Sequence, residues 1–328
     1  MKNSISKADL DSFVLDFNLE SPIKSYNYTS FIGGALFAKN KEWYPYYLSK
    51  HILLLSNNIF DVSCDDMLMY EDKNVFEDVG FDKGIINNGK IKEFIIDKLK
   101  NGYYASVTID EFYIPNRYAY QRKCFYHDML IYGFDLTENV FYTAGYDNTG
   151  RVSMIKYDID LIVATISKCL KERKSKPFFH FYKCKKCCLG FEVEKVKTVL
   201  NKYINCEPIS KKKYDGKYGI AAYEGLISRY KYSCKNSTYW RKASFDMLCE
   251  HKKLMLDRIN YLNTNHEAID AELIHVFEEI FKTSKSIQAN SIKYEITKNE
   301  KVLHQTVDKI KEIADIEQRA IEKLLRSI

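Results

Sequence analysis

CFYHDMLIYGFDLTENVFYTAGYD, residues 124–147, is the stretch on which the fold turns. Two runs rich in aromatic and β-branched residues, 124–135 and 139–146, flank the short polar step Thr137-Glu138, which reads as a β-hairpin. Upstream, residues 103–113 (YYASVTIDEFY) have the same texture and end at Pro115-Asn116. Downstream, Asp147-Asn148-Thr149-Gly150 is a turn signal, and residues 151–157 open a further strand. Four strands in succession with short connections predict an antiparallel meander.

Around the meander the periodicity changes. Residues 161–172 (LIVATISKCLKE) predict a helix, and residues 178–182 one more strand. Phe245, Leu248, Met255, Ile259 and Leu262 fall near helical spacing in a helix over 244–262. The next helix is expected to be capped by Thr264 or Asn265, with Glu267 in its first turn and Ile269, Leu273, Val276, Phe277 and Ile280 facing inward. A last helix over 301–325 uses Val307, Ile310, Ile313, Ile321 and Leu324. Residues 1–102 mix short helices and loops. The expectation is an α+β chain: a core over residues 1–160 and a mainly helical C-terminal region, residues 161–328, packed on it.

The chain has 328 residues, 46% of them hydrophobic, with 26 Tyr and 19 Phe, so a sizeable core is affordable in surface terms and many Tyr rings are expected to pack with a wet hydroxyl. Fifty basic against 44 acidic residues give a formal charge of +6, mild for this length, which argues against a nucleic-acid binder and fits a modest basic patch for an acidic protein. Residues 1–13 carry charges and no apolar core, and no stretch reaches the roughly 20 apolar residues of a bilayer span. Nine unevenly spaced cysteines fit reduced thiols, so the expected location is the cytoplasm, with no membrane association.

Three positions carry candidate chemistry. His127 and Asp147 lie on the two strands of the hairpin, and Thr137 is their midpoint, so a regular hairpin sets them opposite each other or one step off, and cross-strand neighbours have Cβ atoms ~5 Å apart. An imidazole held by a carboxylate on one nitrogen presents the other as a general base. The alternative is a His and an Asp at strand ends with no joint role. A nucleophile in such a site starts a helix, where backbone N–H groups favour a thiolate and an oxyanion. Residues 26–39 (YNYTSFIGGALFAK) are that helix; the residue at its start is Asn27, a favoured N-cap and a poor nucleophile.

Other motifs are weaker. Cys184, Cys187 and Cys188 suggest a metal knuckle, but no second matched pair completes four zinc ligands, so no metal or cofactor is expected. Lys183, Lys185, Lys186 and Lys211–Lys213 are basic runs: solvated surface, or the face that meets an acidic carrier protein. His251 lacks a second His at helical spacing and reads as a structural or substrate-channel residue.

Residues 27–36 (NYTSFIGGAL), 108–115 (TIDEFYIP), 127–135 (HDMLIYGFD), 144–147 (AGYD), 218–226 (YGIAAYEGL) and 250–262 (EHKKLMLDRINYL), in that order, resemble the butirosin-biosynthesis H family of cysteine-protease-like acyltransferases. The resemblance spans roughly residues 25–262. It implies a papain-like fold, similar to bacteriocin-processing cysteine peptidases, and a function in natural-product biosynthesis, with an amide-forming enzyme of the closthioamide assembly line as a functional relative. In that family a Cys begins the first helix, and His and Asp follow on strands. His127 and Asp147 match this pattern, and Asn27 departs from it at the nucleophile position. The implied activity is amide-forming acyl transfer from a carrier-protein thioester to an amine acceptor, with phosphopantetheine present only as the carrier's arm. Two other readings stay open: a pseudoenzyme that binds an acyl or peptidyl chain, and a cysteine peptidase.

Overall fold

Runs of aromatic and β-branched residues over 103–158, buried on both faces along β5, β6 and β7, form the centre of an antiparallel sheet. The structure, a computed structural model, describes residues 10–39, 42–57, 62–64, 72–80, 90–172, 179–185, 190–209, 215–235, 242–266 and 268–328. The chain divides into two compact units: Met1–Ser21, Asn27–Lys41 and Leu68–Cys187 in one, and Pro22–Tyr26, Glu42–Met67 and Cys188–Ile328 in the other.

The first unit holds a seven-stranded antiparallel sheet. Its centre is the expected meander of β5 (Tyr104–Asp110), β6 (Tyr126–Asp135), β7 (Val140–Tyr146) and β8 (Val152–Asp158). On the far side of β5 lie β9 (Phe179–Cys184) and then β4 (Phe76–Gly80), while β1 (Ser12–Val14) pairs with the end of β6. β9 is the strand expected over 178–182. It pairs with both β4 and β5, so the sheet unit runs to Cys187, beyond residue 160.

Strand alternation sorts the two faces of this sheet. Met129 and Ile131 of β6, Val107 and Ile109 of β5 and Phe181 of β9 are fully buried in one cluster with Ile91, Ile95 and Leu99 of α3 (Ile91–Lys100) and Ile162 and Ile166 of α4 (Ile159–Glu172). Leu130 and Ala144, register partners between those positions, are equally buried on the opposite face. α1 (Asn27–Lys39) packs against β6 and β7, and its residues Phe31 to Phe37 are all buried. A helix apolar all round belongs inside a protein rather than on its surface.

The second unit contains a small antiparallel sheet, β10 (Gly216–Tyr218), β2 (Leu54–Asn57) and β3 (Ser63–Cys64), in that spatial order. Its helices are α2 (Trp43–Leu48), α5 (Val193–Ile204), α6 (Ala222–Lys235), α7 (Lys242–Asn265), α8 (Ala271–Thr297) and α9 (Glu300–Ser327). α8 packs against both α7 and α9. The cap of α8 is Asp270, whose carboxylate accepts from Glu272 N at 2.9 Å. Thr264 and Asn265 instead end α7, their side chains donating to the carbonyls of Asn260 and Tyr261. Lys252 of α7 and Glu317 of α9 form a fully buried ion pair at 2.7 Å, and the hydroxyls of Tyr203 and Tyr223 also donate to Glu317.

Thus the chain is α+β, with an antiparallel sheet and a helical C-terminal part. Among the described residues no helix is long and apolar enough to cross a membrane.

Candidate active site

The site begins with how α1 is held. Residues 17–21 run over it so closely that a Cβ on Gly34 would stand 2.4 Å from the carbonyl oxygen of Asn18. Only a residue without a side chain fits there. Asn18 N donates to the Gly34 carbonyl, and Ser21 Oγ to the Thr29 carbonyl. The first residue of the helix so placed is Asn27, 3% exposed.

The Asn27 carboxamide faces the start of β6. Its Nδ2 donates to the carbonyl oxygen of Asp128 at 3.0 Å and lies 3.4 Å from Nε2 of His127. Its Oδ1 is buried with no hydrogen-bond partner. The three positions expected to carry chemistry therefore resolve differently. Asn27 and His127 meet, whereas the carboxylate on the imidazole is Glu111: its Oε1 lies 2.8 Å from His127 Nδ1. A carboxylate only accepts, so Nδ1 carries the proton and the Nε2 lone pair points at residue 27.

Asp147 does not orient His127. Its Oδ1 accepts from Thr149 N, Thr149 Oγ1 and Arg151 N, closing its own turn. Burial works against its ionisation, but these hydrogen bonds outweigh it and hold the carboxyl below the usual aspartate range. At the turn the register is one residue off the expected one, Asp135 pairing with Val140, and a bulge between Ile131 and Gly133 restores pairing about Thr137, Leu130 with Ala144. However, β7 ends at Tyr146, and the nearest donors to Asp147 belong to the adjacent turn.

Glu111 reaches His127 diagonally. Ile109 is the register partner of His127, and Glu111 follows two residues later, just past the end of β5, as the first residue of a short 3-10 turn over Glu111–Tyr113. Diagonal neighbours are within reach of long side chains. Backbone bonds pin the position: Glu111 N donates to Phe125 O at 2.9 Å, and Phe112 N and Phe125 N both donate to Asp110 Oδ1. Glu111 is buried, and its Oε2 has no hydrogen-bond partner. The imidazole itself is about a quarter open, its side chain 27% exposed.

Aromatic rings fix the imidazole plane. Tyr146 stacks on it at 5.5 Å and Phe125 lies at 5.3 Å. Tyr146 is held in turn by Arg117, whose Nη1 donates to the Tyr146 carbonyl at 2.6 Å. The buried guanidinium lies flat on Gly145, where a Cβ would come within 2.3 Å of it, and over the Tyr157 ring. Glu111, Arg117 and Tyr146 were not singled out from sequence. The faint signal for Glu111 was its place directly after a strand whose partner carries His127.

What the arrangement supplies is a carboxylate-oriented imidazole, its other nitrogen directed at a helix start that bears a carboxamide. The nearest thiol in sequence, Cys124, has its pKa pushed up by burial and by the Asp110 carboxylate, although Tyr126 opposes this, so it is no ready thiolate.

The other expected positions lie elsewhere. Cys184 is buried in β9, and Cys187 and Cys188 fall outside the described residues; among those described no group of His, Cys, Asp and Glu is arranged to hold a metal. Lys183 lies over the Tyr103 ring and Lys185 donates to the Lys73 carbonyl, while Lys186 and Lys211–Lys213 are outside the described residues. His251 is fully buried in the second unit, Nε2 on the Ile52 carbonyl at 2.7 Å and Nδ1 on the Lys252 ammonium. Burial and that ammonium hold it neutral, as a structural residue. No protein-family model matches the chain, and no curated protein is significantly similar to it in sequence.

Proposed function

We propose that the protein is an amide-forming acyltransferase with a papain-like site that works on a carrier-bound thioester, and that with Asn27 in place it does so without an acyl-enzyme. The observation that carries the reading is the Glu111–His127 pair, with Nε2 directed at the first residue of α1. The amine nitrogen of an acceptor attacks the thioester carbonyl carbon while His127 Nε2 takes its proton. Asn27 Nδ2 and the start of α1 offer hydrogen bonds to the developing oxyanion. The tetrahedral intermediate collapses, the C–S bond breaks, and the His127 proton passes to the departing thiolate. The products are an amide and a free carrier thiol.

A second reading has its own support. Nε2 is already engaged by Asn27 Nδ2, and position 27 carries no nucleophile, which suits a site that binds an acyl or peptidyl chain without turning it over. Incubating the protein with an acyl-carrier thioester and a panel of primary amines separates the two. Amide formation that disappears in His127→Ala supports transfer; binding without any product supports the pseudoenzyme. Asn27→Cys adds a covalent readout. Its intact mass gains the acyl group when the helix start and His127 activate the thiol, and Asn27→Cys combined with His127→Ala stays unmodified.

A further inference from the structure

The segment that carries Glu111 and leads into His127 exposes two cations, Arg122 and Lys123, beside the rings of Tyr118 and Phe125. Residues 121–125 are all exposed, immediately before the His127 strand. Tyr118 is 53% and Phe125 40% exposed, which is unusual for large rings that support no core. Lys123 Nζ lies 5.5 Å from the centroids of both rings, and the Arg122 guanidinium 5.9 Å from that of Tyr118. Neither cation has a carboxylate within 4.0 Å among the described residues, whereas Lys168 nearby in the same unit is paired with Glu172.

The platform is built, not a loose loop. Gln121 N donates to Phe112 O, Arg122 N and Lys123 N both donate to Ala119 O, and Tyr120 N donates to Arg117 O. Tyr157 Oη anchors the Pro115 carbonyl. Asn116 and Gln121 adopt left-handed backbone, φ 60° and 52°, where the segment turns. The two cations are thus presented on a fixed backbone, and an anion meeting them requires little ordering.

We infer that Arg122 and Lys123, with the rings of Tyr118 and Phe125, receive the phosphate of a carrier protein's phosphopantetheine arm and lead the arm along Phe125 to His127. The inference rests on the acyl-transfer reading, and it places the donor's entrance on this surface instead of on the Lys183–Lys186 or Lys211–Lys213 runs. A guanidinium fork and an ammonium match a phosphate diester in charge and geometry. Aromatic faces suit the apolar pantetheine chain beyond it. Phe125 touches both parts: its ring is 5.5 Å from Lys123 Nζ and 5.3 Å from the imidazole.

The test compares calorimetric binding of 4′-phosphopantetheine, pantetheine and inorganic phosphate to the full chain and to Arg122→Gln/Lys123→Gln and Arg122→Glu/Lys123→Glu. The expected result is binding of 4′-phosphopantetheine about tenfold tighter than of pantetheine, weakened by salt, with the preference lost in both variants. Pantetheine affinity should not change, and unaltered thermal unfolding of these surface variants shows that the fold persists. Equal affinity for the phosphorylated and unphosphorylated arms, no binding of either, or inorganic phosphate binding as tightly as 4′-phosphopantetheine overturns the inference. A phosphate preference that depends on Arg122 and Lys123, with no amide product in the transfer assay, sinks the transfer reading and leaves this entrance standing. Amide formation at equal rates from acyl-pantetheine and acyl-phosphopantetheine does the reverse.

Discussion

Glu111, directly after β5, lies one diagonal step from His127 of β6, and its buried Oε1 sits 2.8 Å from His127 Nδ1. A buried carboxylate so placed fixes the imidazole tautomer. Glu111→Gln should lower the population of the Nδ1–H form, read from the ¹⁵N shifts of the imidazole. It should also slow acylation of the Asn27→Cys protein by about 10- to 100-fold. Asp147→Asn, which disturbs only its own turn, should leave both readouts within about twofold of the parent. The opposite ranking of the two substitutions would restore Asp147 as the orienting group.

The Lys252–Glu317 pair predicts a specific non-additivity. Both side chains are fully buried, and Glu317 also accepts from Tyr203 and Tyr223 at 2.8 and 2.6 Å. Lys252→Met strands a carboxylate and should cost about 3–5 kcal/mol in denaturant unfolding. Adding Glu317→Gln removes the stranded charge yet keeps an acceptor for the two tyrosines, so the double variant should recover more than half of the loss. Simple additivity of the two substitutions would show that the pair is not coupled.

Glu250 gives the second unit a pH dependence. Burial pushes its carboxyl up from 4.5 to about 7, against the hydrogen bonds donated by Ser25 N and Oγ. The folded form therefore binds the proton more tightly than the unfolded chain. The resulting stabilisation is fully present below pH 4.5, declines as pH rises, and is gone above about 7. In Glu250→Gln this decline should vanish, making the variant more stable than the parent at pH 8 by on the order of 1–3 kcal/mol. Thermal unfolding between pH 4.5 and 8 measures it; parallel curves for parent and variant would refute the assignment.

Gly34 constrains the seat of α1 against backbone. A methyl group there would meet the Asn18 carbonyl and the Phe17 ring at 2.4 Å. Gly34→Ala should lose about 1–3 kcal/mol of stability. In the Asn27→Cys background it should slow acylation as well, because shifting α1 moves residue 27 away from His127. An unchanged acylation rate would mean that the helix start is held by other contacts.

Local pattern alone determined the meander and the long C-terminal helices. Each rests on side-chain period and on short turns, whereas the pairs Leu130–Ala144 and Ile131–Thr143 depend on a bulge between Ile131 and Gly133 that counting across the turn does not show. It also placed Asn27 at a helix start, because a polar cluster there precedes an apolar run with Gly33 and Gly34. The cap of α8 differs from the expected one because several Asx and Thr side chains compete locally: Asn263 accepts from Ile269 N before the helix, and Asp270 accepts from Glu272 N in its first turn. The carboxylate partner of His127 was decided by tertiary structure. β5 and β6 are joined by a folded excursion, residues 111–125, whose length fixes no register, so counting could not set Glu111 beside His127. Asp147 lost the role for an energetic reason: donors two and four residues away in its own turn bind it at almost no entropic cost, whereas His127 had to be reached across strands. Likewise the approach of Asn27 to His127 joins residues a hundred positions apart, and only the packing of α1 against β6 creates it.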